Sequence, residues 1–371
     1  MIALLERRSS AGRAPRVAIV ERGARLGGNH TWCFHAADVP PAAHGLVAEL
    51  EVQRWPGYTV RFPERTRRLR SSYACISSAR LDEVVSRRLA AAPHAQLFVE
   101  ASAESIEARR VVLRDGRVLT AGLVVDATGP SEQPREGSGY QKFCGLELTL
   151  EGASLPCEPV LFDACIPQHD GFRFMYVLPF EDGRALVEET FFSDRPELDE
   201  EASQLAIREY LTQRGMNVRA VHRSERGVLP MPWRDPGFDP TARPLRAGYR
   251  GALFHPVTGY SFPAAIRFAL ALARSDLERL ASSPLNEFAR EHAAQLPFLQ
   301  LLTRLLFTGF PPSQRFRVLE HFYRLPEPLI ERFYAAELTA LDRARVFWGR
   351  PPRGFSPARA LGRHRATGAP S

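Results

Sequence analysis

Two adjacent carboxylates, Glu188 and Glu189, interrupt an apolar run that otherwise predicts a buried β-strand. An alternating run at 172–178 precedes them, and turn residues at 181–184 separate the two runs, so the pattern predicts a β-hairpin. Because successive side chains of a strand point to opposite faces, only one of the two carboxylates can face a pocket on a given side. Alternation does not choose between them, and the alternative is that both are surface glutamates of an edge strand.

A carboxyl group held among apolar side chains can remain a proton donor near neutral pH, because burial raises its pKa. The neighbouring strands are rich in aromatic residues, whose faces stabilise cations. Most of these residues are expected in the core, and a subset that lined a pocket would suit a carbocation. They are Phe162, Phe172, Phe174, Tyr176, Phe191 and Phe192.

The composition is that of a globular protein with room for two or more packed units. The chain has 371 residues, of which 44% are hydrophobic and 25% are charged. Its formal charge of +7 is carried almost wholly by arginine. No basic module with interleaved aromatic residues is present, so nucleic acid is not predicted as a partner. Anionic head groups attract basic surfaces, and a membrane surface is therefore the predicted use of the charge.

The five cysteines form no Cys-x-x-Cys pair, which argues against a disulfide framework or a zinc site and fits a reduced cytoplasmic compartment. His30 and His35 have no third ligand placed near them, so no metal site is predicted. The longest apolar stretch, 296–310, is interrupted by Gln300 and Arg304 and is too short to span a bilayer. Its helical apolar face predicts either a core surface or a peripheral membrane surface on the inner face of the membrane.

The first part of the chain predicts the second half of a βαβ nucleotide-binding unit. An apolar strand ends in Glu21, where such units carry the acid that binds the ribose hydroxyls, and Gly27 and Gly28 allow the backbone to approach a ligand. The preceding strand and its Gly-x-Gly-x-x-Gly turn are missing, and residues 2–8 predict only the last turns of a helix. Either the fold lacks its phosphate loop or the start codon lies too far downstream; the intact remainder of the unit favours the second interpretation.

Two later segments predict further contacts with a dinucleotide. The apolar strand at 123–125 leads into Asp126 and Gly129, a turn of small residues that brings the backbone close to a cofactor. The loop around Gly259 precedes a helix predicted over 263–280. The N-terminus of that helix offers N–H groups and the positive end of a dipole to an anionic ring.

Several separate blocks resemble the bacterial lycopene β-cyclases, a family of flavoproteins. They are Gly27-Gly28-Asn29-His30-Thr31-Trp32, Leu186-Val187-Glu188-Glu189-Thr190, residues 253–261 and residues 322–327. The resemblance runs from about residue 2 to residue 352 and departs from the family pattern at Cys33, where Ser is usual. It implies a two-domain α/β fold of the FAD-binding, Rossmann-like, GR2/hydroxylase type, with an antiparallel-sheet substrate domain and a helical C-terminal part.

The resemblance also implies a function and the residues that serve it. The family closes rings on the ends of lycopene and other linear carotenoids, giving γ- and then β-carotene without net redox change, with reduced FAD as cofactor and NAD(P)H as its reductant. Glu188 matches the first carboxylate of the acidic motif and is the implied catalytic acid. Glu189 would orient neighbours or face outward, with Trp32 and His255 as further supporting residues. The implied cofactor-binding residues are Glu21, Gly27, Gly28, Asp126, Gly129 and Gly259.

The predicted domain division is discontinuous. It comprises an FAD-binding domain (1–55, 76–139 and 235–284), a substrate domain (56–75 and 140–234), a helical region (285–349) and a disordered basic tail (350–371). The expected partners are the membrane surface and other enzymes of carotenoid synthesis. Two alternatives remain open: an FAD-dependent monooxygenase or related oxidoreductase, and a non-catalytic relative that binds carotenoids or membranes.

Overall fold

A mixed α/β architecture surrounds one seven-stranded sheet. The structure is a computed structural model that describes residues 15–130, 137–181, 183–277 and 284–360. The helix predicted at 2–8 and Asp182 of the predicted turn lie outside the described residues.

The strands and helices are numbered in chain order. The strands are β1 (Val17–Val20), β2 (Thr31–His35), β3 (Gln53–Trp55), β4 (Tyr58–Phe62), β5 (Arg65–Leu69), β6 (Tyr73–Ser77), β7 (Ala95–Phe98), β8 (Ala103–Ile106), β9 (Arg110–Leu113), β10 (Val118–Thr120), β11 (Val125–Asp126), β12 (Ser138–Gly152), β13 (Val160–Asp163), β14 (Phe172–Pro179), β15 (Arg184–Ser193), β16 (Met216–Pro232) and β17 (Leu245–Arg246). The α-helices are α1 (His44–Leu50), α2 (Ser78–Ala90), α3 (Glu200–Thr212), α4 (Phe262–Arg274), α5 (Pro284–Thr308), α6 (Phe316–Phe322), α7 (Glu327–Tyr334), α8 (Ala340–Val346) and α9 (Pro357–Ala360).

The central sheet has the strand order β16-β12-β15-β14-β13-β4-β5 and is antiparallel except where β13 pairs with β4. Strands β14 and β15 form the predicted hairpin, in which Glu188 lies opposite Tyr176 on one side and Gly145 of β12 on the other. Alternation along β15 places Glu188 and Glu189 on opposite faces. We call the face that carries Glu188 the acid face and the other the α3 face.

Helices cover both faces of this sheet. Ile207 and Leu211 of α3 pack against Val187 on the α3 face. On the acid face, Leu186 belongs to a core that includes Leu306 of α5. Each such fully buried leucine or isoleucine contributes about 1.5–3 kcal/mol of transfer free energy, which fixes the hairpin between two apolar layers.

Two short parallel pairs, β1 with β7 and β11 with β17, lie in the part of the chain that the sequence predicts to bind a dinucleotide. Within the described ranges no strand joins these two pairs. The apolar strand predicted at 123–125 is reduced to Val125 and Asp126, which pair with Leu245 and Arg246 of β17. The antiparallel sheet β2-β6-β3 lies between this part and the central sheet.

Helix α4 occupies the position predicted for a helix over 263–280 but ends at Arg274. The next residue, Ser275, has an extended backbone, and its hydroxyl donates a 2.8 Å hydrogen bond back to Ala271 O, which ends the helix. Residues 278–280 of the predicted range lie outside the described residues.

Helix α5 carries the longest apolar stretch of the sequence. Leu296, Leu299, Leu306 and Phe307 are all buried, so this face is part of the core and the membrane-facing alternative is wrong for it. No helix in the part of the chain that the structure describes is long and apolar enough to cross a bilayer.

Residues 352–360 pack on α5 and its C-terminal end, which differs from the disordered tail predicted from residue 350. Phe355 contacts Phe310 with ring centroids 5.5 Å apart, and Ser356 N donates a 2.9 Å hydrogen bond to Gly309 O. The aromatic contact buries apolar surface that composition alone does not reveal. The remaining residues of the predicted tail, 361–371, lie outside the described residues.

Candidate active site

Glu188 is a half-buried acid on β15. Thr190 Oγ1 donates a hydrogen bond to Glu188 Oε1, and no cation forms an ion pair with this carboxylate within the described residues. Burial, together with the negative charge of Glu225, raises the pKa of Glu188 to about 8. The carboxyl group is therefore protonated at neutral pH and can serve as a proton donor.

Glu189 has a different environment on the α3 face. Its side chain is 2% exposed, and Arg173 Nε and Nη2 both lie 2.5 Å from Glu189 Oε1. Arg173 Nη1 also donates to Pro167 O at 3.0 Å. Of the two roles expected for Glu189, facing outward is wrong, because the burial of this strand on both faces leaves it no solvent. The carboxylate instead holds Arg173.

A second acid, Glu225 on β16, lies on the acid face and was not predicted from the sequence. It is 4% exposed, accepts a 3.0 Å hydrogen bond from Thr31 Oγ1 and pairs with Arg223 Nη1 at 2.5 Å. Burial raises the pKa of Glu225, and Arg223 and Thr31 oppose that shift. The sequence signal that could have found Glu225 is the pair of charged residues at 223 and 225, because alternation along a strand places both on the same face.

The glycine-rich segment before β2 docks onto this part of β16. Asn29 Nδ2 donates to Ser224 O at 2.6 Å, and Arg223 donates to Asn29 Oδ1 at 3.1 Å and to Thr31 Oγ1 at 2.7 Å. The motif that carried the family resemblance therefore joins the start of β2 to β16 of the central sheet.

Gly27 and Gly28 have φ values of +81° and +65°, which favour glycine. A Cβ on Gly27 would lie 2.8 Å from Leu81 Cδ2, so this turn packs closely on α2. Trp32 packs in the same place and lies on the face of β2 opposite Thr31. The structure therefore does not place Trp32 beside Glu188; Thr31, its neighbour in the motif, reaches Glu225 instead.

Three tyrosines, Tyr73, Tyr176 and Tyr260, form a cluster beside Glu188 that we call the tyrosine cluster. Tyr73 Oη lies 2.9 Å from Tyr176 Oη and 2.5 Å from Tyr260 Oη. Burial raises the pKa of all three hydroxyls, so they stay neutral. His35 packs on Tyr73 with ring centroids 5.0 Å apart, and burial lowers its pKa to about 3, which keeps it neutral as well. The tyrosine cluster thus offers uncharged aromatic faces.

His255 anchors the loop that contains Gly259. Its Nε2 donates to Phe333 O at 2.8 Å, and its Nδ1 accepts from Val257 N at 3.3 Å. Burial lowers the pKa of His255 to about 4, so the ring is neutral and both nitrogens are engaged. These contacts tie the loop to α7 and make His255 a structural support rather than a proton donor.

The residues expected at the cofactor lie at the ends of the parallel strands. Glu21 follows β1 and accepts a 2.7 Å hydrogen bond from Gly23 N. Asp126 ends β11; burial acts against its ionisation, but hydrogen bonds from Thr128 and Arg250 outweigh it and lower the pKa of Asp126. Gly129 has a φ of +91° and open space around its Cα. These positions lie outside the Glu188 cluster.

Several polar groups near the start of α4 have no hydrogen-bond partner among the described residues. Gln141 Oε1 and Thr258 Oγ1 are buried and have no hydrogen-bond partner among these residues, and Ser261 makes no side-chain cap on α4. Gly259 has a φ of +73°, and a Cβ there would lie 2.2 Å from Gln141 Oε1, so the Gln141 amide packs directly against this glycine. Such a set of donors and acceptors fits the polar edge of a flavin ring.

Solved structures with this architecture define the class of protein. The chain is similar to PqsL, a probable FAD-dependent monooxygenase from Pseudomonas aeruginosa, with a TM-score of 0.56, 18% identity and coverage of 87% of this chain and 95% of that one. It is also similar to the flavin-dependent brominase Bmp2, with a TM-score of 0.57, 10% identity and coverage of 87% and 93%. The fold is thus that of flavin-dependent enzymes, as predicted.

The sequence comparisons identify the family within that class. The family model described as lycopene cyclase protein matches residues 2–360. A lycopene beta-cyclase from Pantoea ananas is 38% identical over 348 residues, covering 91% of this chain and 88% of the relative, and one from Paracoccus sp. is 35% identical over 347 residues, covering 91% and 88%. The chain belongs to the lycopene cyclase family, which confirms the resemblance.

Proposed function

We propose that this chain cyclises the ends of lycopene in carotenoid biosynthesis and that Glu188 is the acid that starts the reaction. The family match over residues 2–360 supports the substrate class. The observation that carries the role of Glu188 is its environment: a half-buried carboxyl that accepts from a hydroxyl, has no ion-pair partner among the described residues and has a pKa raised to about 8. A neutral carboxylic acid at pH 7 is the form that protonation of an alkene needs.

The proposed reaction begins with transfer of the Glu188 proton to C2 of the terminal double bond, which leaves a tertiary cation at C1. The electron pair of the C5=C6 double bond then forms the C1–C6 bond and moves the cation to C5. Loss of the C6 proton forms the C5=C6 double bond of the β-ring. One proton enters and one leaves, so the reaction needs no oxidant or reductant.

The tyrosine cluster suits this cationic intermediate. Tyr176 lies directly opposite Glu188 on the neighbouring strand, and its hydroxyl is joined to Tyr73 and through it to Tyr260. Neutral aromatic faces stabilise a cation through their quadrupoles and cannot trap it as a carboxylate would. The phenylalanines of the predicted aromatic set lie mostly in the core, as expected. Phe162, Phe172, Phe174 and Phe192 pack on one another, and Phe191 lies on the α3 face.

The cofactor that we propose is FAD in its reduced form, with NAD(P)H as reductant. Glu21 would bind the ribose hydroxyls, and the Gly259 loop with the start of α4 would hold the polar edge of the flavin. When bound, the reduced flavin supplies a fixed negative charge that stabilises a nearby cation. Retention of FAD by the purified chain, measured by absorbance after gel filtration, tests this assignment.

A membrane-bound substrate also requires a surface that meets the bilayer, and we place it along α8 and the two residues that follow this helix. Leu341, Phe347 and Trp348 are 60%, 51% and 82% exposed, and we call them the C-terminal apolar patch. The exposed residues Arg345 and Arg350 flank it and would meet anionic head groups. The proposed location is therefore the cytoplasmic face of the membrane, as a peripheral protein.

Replacement of the acid tests the proposed function directly. Glu188→Gln should abolish β-carotene formation in cells that make lycopene, while soluble yield and FAD content stay near wild-type, because Gln keeps the shape and cannot donate a proton. Glu181→Gln, which changes an exposed carboxylate at the tip of the same hairpin, is the matched control and should retain activity. Retention of β-carotene in the Glu188 variant would overturn the assignment, and lycopene-dependent consumption of NAD(P)H and O₂ would favour the monooxygenase alternative.

A further inference from the structure

Four neighbouring strands place a row of side chains across the acid face. In register, Tyr176 of β14 lies opposite Glu188 of β15, Glu188 opposite Gly145 of β12, and Gly145 opposite Glu225 of β16. Directly paired residues on adjacent strands lie about 4.5–5.5 Å apart. The two acids therefore occupy the same row, with a single glycine between them.

Gly145 is the spacer that lets the two acids approach each other. A methyl group at this position would lie 3.1 Å from Glu225 Cγ and 3.4 Å from Glu188 Cβ. Any larger residue would fill the space into which both carboxyl groups extend. The absence of a side chain at Gly145 thus leaves the two acids close to each other, so the charge of one can act on the other over a short distance.

The two acids differ in their partners. Glu225 has a guanidinium group, Arg223 Nη1, at 2.5 Å and a hydroxyl donor, Thr31 Oγ1, at 3.0 Å. Within the part of the chain that the structure describes, the Glu188 carboxyl has only the hydroxyl of Thr190 as a side-chain partner. Because a nearby cation stabilises the ionised form, Glu225 holds the negative charge of the pair and Glu188 holds the proton.

The other titratable groups that face this row are either neutral or held by arginine side chains. Burial raises the pKa of Cys33 on β2, of Tyr73 on β6, of Tyr176 on β14 and of Tyr260 before α4, so all four are neutral at pH 7. Glu147 on β12 lies one position further along the acid face and is bound by Arg184 and by Arg223 Nε at 3.1 Å. Arg223 and Glu225 are thus the charged groups next to Glu188.

We propose that Glu225 is a positioning residue whose fixed negative charge, held by Arg223 and Thr31 across Gly145, keeps Glu188 protonated for catalysis. The inference rests on the proposed role of Glu188 as the acid. It assigns a task to the glycine-rich motif before β2, since Thr31 supplies one of the two groups that hold Glu225 in place. Glu225 itself need not touch the substrate.

Infrared spectroscopy of the purified full chain can follow the proton on Glu188 without substrate, because a protonated carboxyl group has a C=O stretching band that a carboxylate lacks. The Glu188 band is the one missing in Glu188→Gln, and in the wild type it should disappear with a midpoint near pH 8. In Glu225→Gln the midpoint should fall by about one to two pH units. An unchanged midpoint overturns the proposal.

The pH profile of ring closure supplies the second readout. In Glu225→Gln the alkaline limb should move to lower pH, and the rate on the acidic side should recover to within about threefold of wild type. A residue with a merely structural role would lower the rate at every pH without moving the limb, and that result overturns the proposal.

Glu147→Gln is the matched control, because it also removes a carboxylate partner of Arg223 but leaves the row across Gly145 intact. Its midpoint should stay near that of wild type, and a shift equal to that of Glu225→Gln overturns the specific role of Glu225. If Glu225→Gln does not fold, Arg223→Gln/Glu225→Gln removes the pair as a unit, and its midpoint should still fall.

The two proposals can fail separately. An active Glu188→Gln shows that the assigned acid is wrong, whatever Glu225 does, and the present inference fails with it. An inactive Glu188→Gln combined with an unshifted Glu225→Gln leaves the proposed function standing and overturns the role of Glu225 alone.

Discussion

Arg173 and Glu189 form a buried ion pair on the face of the central sheet opposite Glu188, with Nε and Nη2 both 2.5 Å from Oε1. Breaking a buried pair leaves an uncompensated charge, which costs about 3–5 kcal/mol. We expect Glu189→Gln to lower the free energy of unfolding by about 3 kcal/mol, since the amide keeps one acceptor. The rate of ring closure per folded molecule should stay near wild type, because the change lies on the α3 face. Urea unfolding and activity of the folded fraction check both parts.

A double variant distinguishes the contribution of the ion pair to stability from a direct part of Glu189 in ring closure. Arg173→Met/Glu189→Leu replaces the pair with apolar side chains of similar size, and such replacements are often close to neutral. The double variant should therefore be more stable than Glu189→Gln. If ring closure is lost in both variants while the protein stays folded, Glu189 takes part in the reaction and the division of the two carboxylates between faces is too simple.

The proton on Glu188 makes stability depend on pH. The pKa of Glu188 in the folded protein, about 8, lies above the ordinary value of 4.5 for a glutamate, so this contribution is fully present below pH 4.5 and is lost as pH rises through 8. The free energy of unfolding of the wild type should therefore decrease between pH 5 and pH 8, and in Glu188→Gln this decrease should be smaller by on the order of 3 kcal/mol. Urea unfolding at several pH values measures the difference between the two curves.

Other groups with shifted pKa values contribute equally to the pH dependence of both proteins, so their contributions cancel in that comparison. Burial raises the pKa of Asp38 to about 7, which adds a fall in the same direction to both proteins. The lowered pKa values of His35 and His255 act in the opposite sense below pH 6.5 and are also common to both. Parallel curves for wild type and Glu188→Gln would contradict a protonated Glu188 in the folded state.

The hairpin and the separation of its two carboxylates could be predicted because strand alternation is a local property of the sequence. The choice of face could not, because both faces of β15 are buried and the pattern around Glu188 and Glu189 is apolar on each side. Only the resemblance selected Glu188. The same local rule, applied to β2, separates Thr31 from Trp32, but it likewise does not say which of the two faces Glu225.

The pairing of Glu225 with Glu188 could not be predicted, because it depends on the register of strands that are distant in the sequence. Strand β12 pairs with β16 through two register shifts, at 147/148 and 149/150, so counting along either strand does not give the partner of Gly145.

The environment of helix α5 could not be predicted from the sequence either. Its apolar stripe is the same for a core helix and a membrane surface, and only the sheet packed against it decides.

Gly145 should be sensitive to a single methyl group. Gly145→Ala would place Cβ 3.1 Å from Glu225 Cγ and 3.3 Å from Leu186 Cδ1, and overpacking of this kind costs about 1–3 kcal/mol. We expect ring closure to fall by about tenfold or more while the fold is kept, because both acids must move. Gly122→Ala, at a site with no neighbouring atom within 4 Å, should leave rate and stability unchanged. Equal rates for the two variants would show that the spacing of the acids is not critical.

The C-terminal apolar patch should bind anionic membranes. Leu341→Ser/Trp348→Ser should weaken binding to vesicles of phosphatidylglycerol and phosphatidylethanolamine by about tenfold or more, because two exposed apolar side chains no longer enter the lipid. Leu205→Ser is the control, since Leu205 is 58% exposed on α3 among acidic residues, and it should bind like wild type. Sedimentation with vesicles measures both, and high salt should weaken wild-type binding through Arg345 and Arg350. Equal binding of the patch variant and wild type would place the membrane surface elsewhere on the molecule.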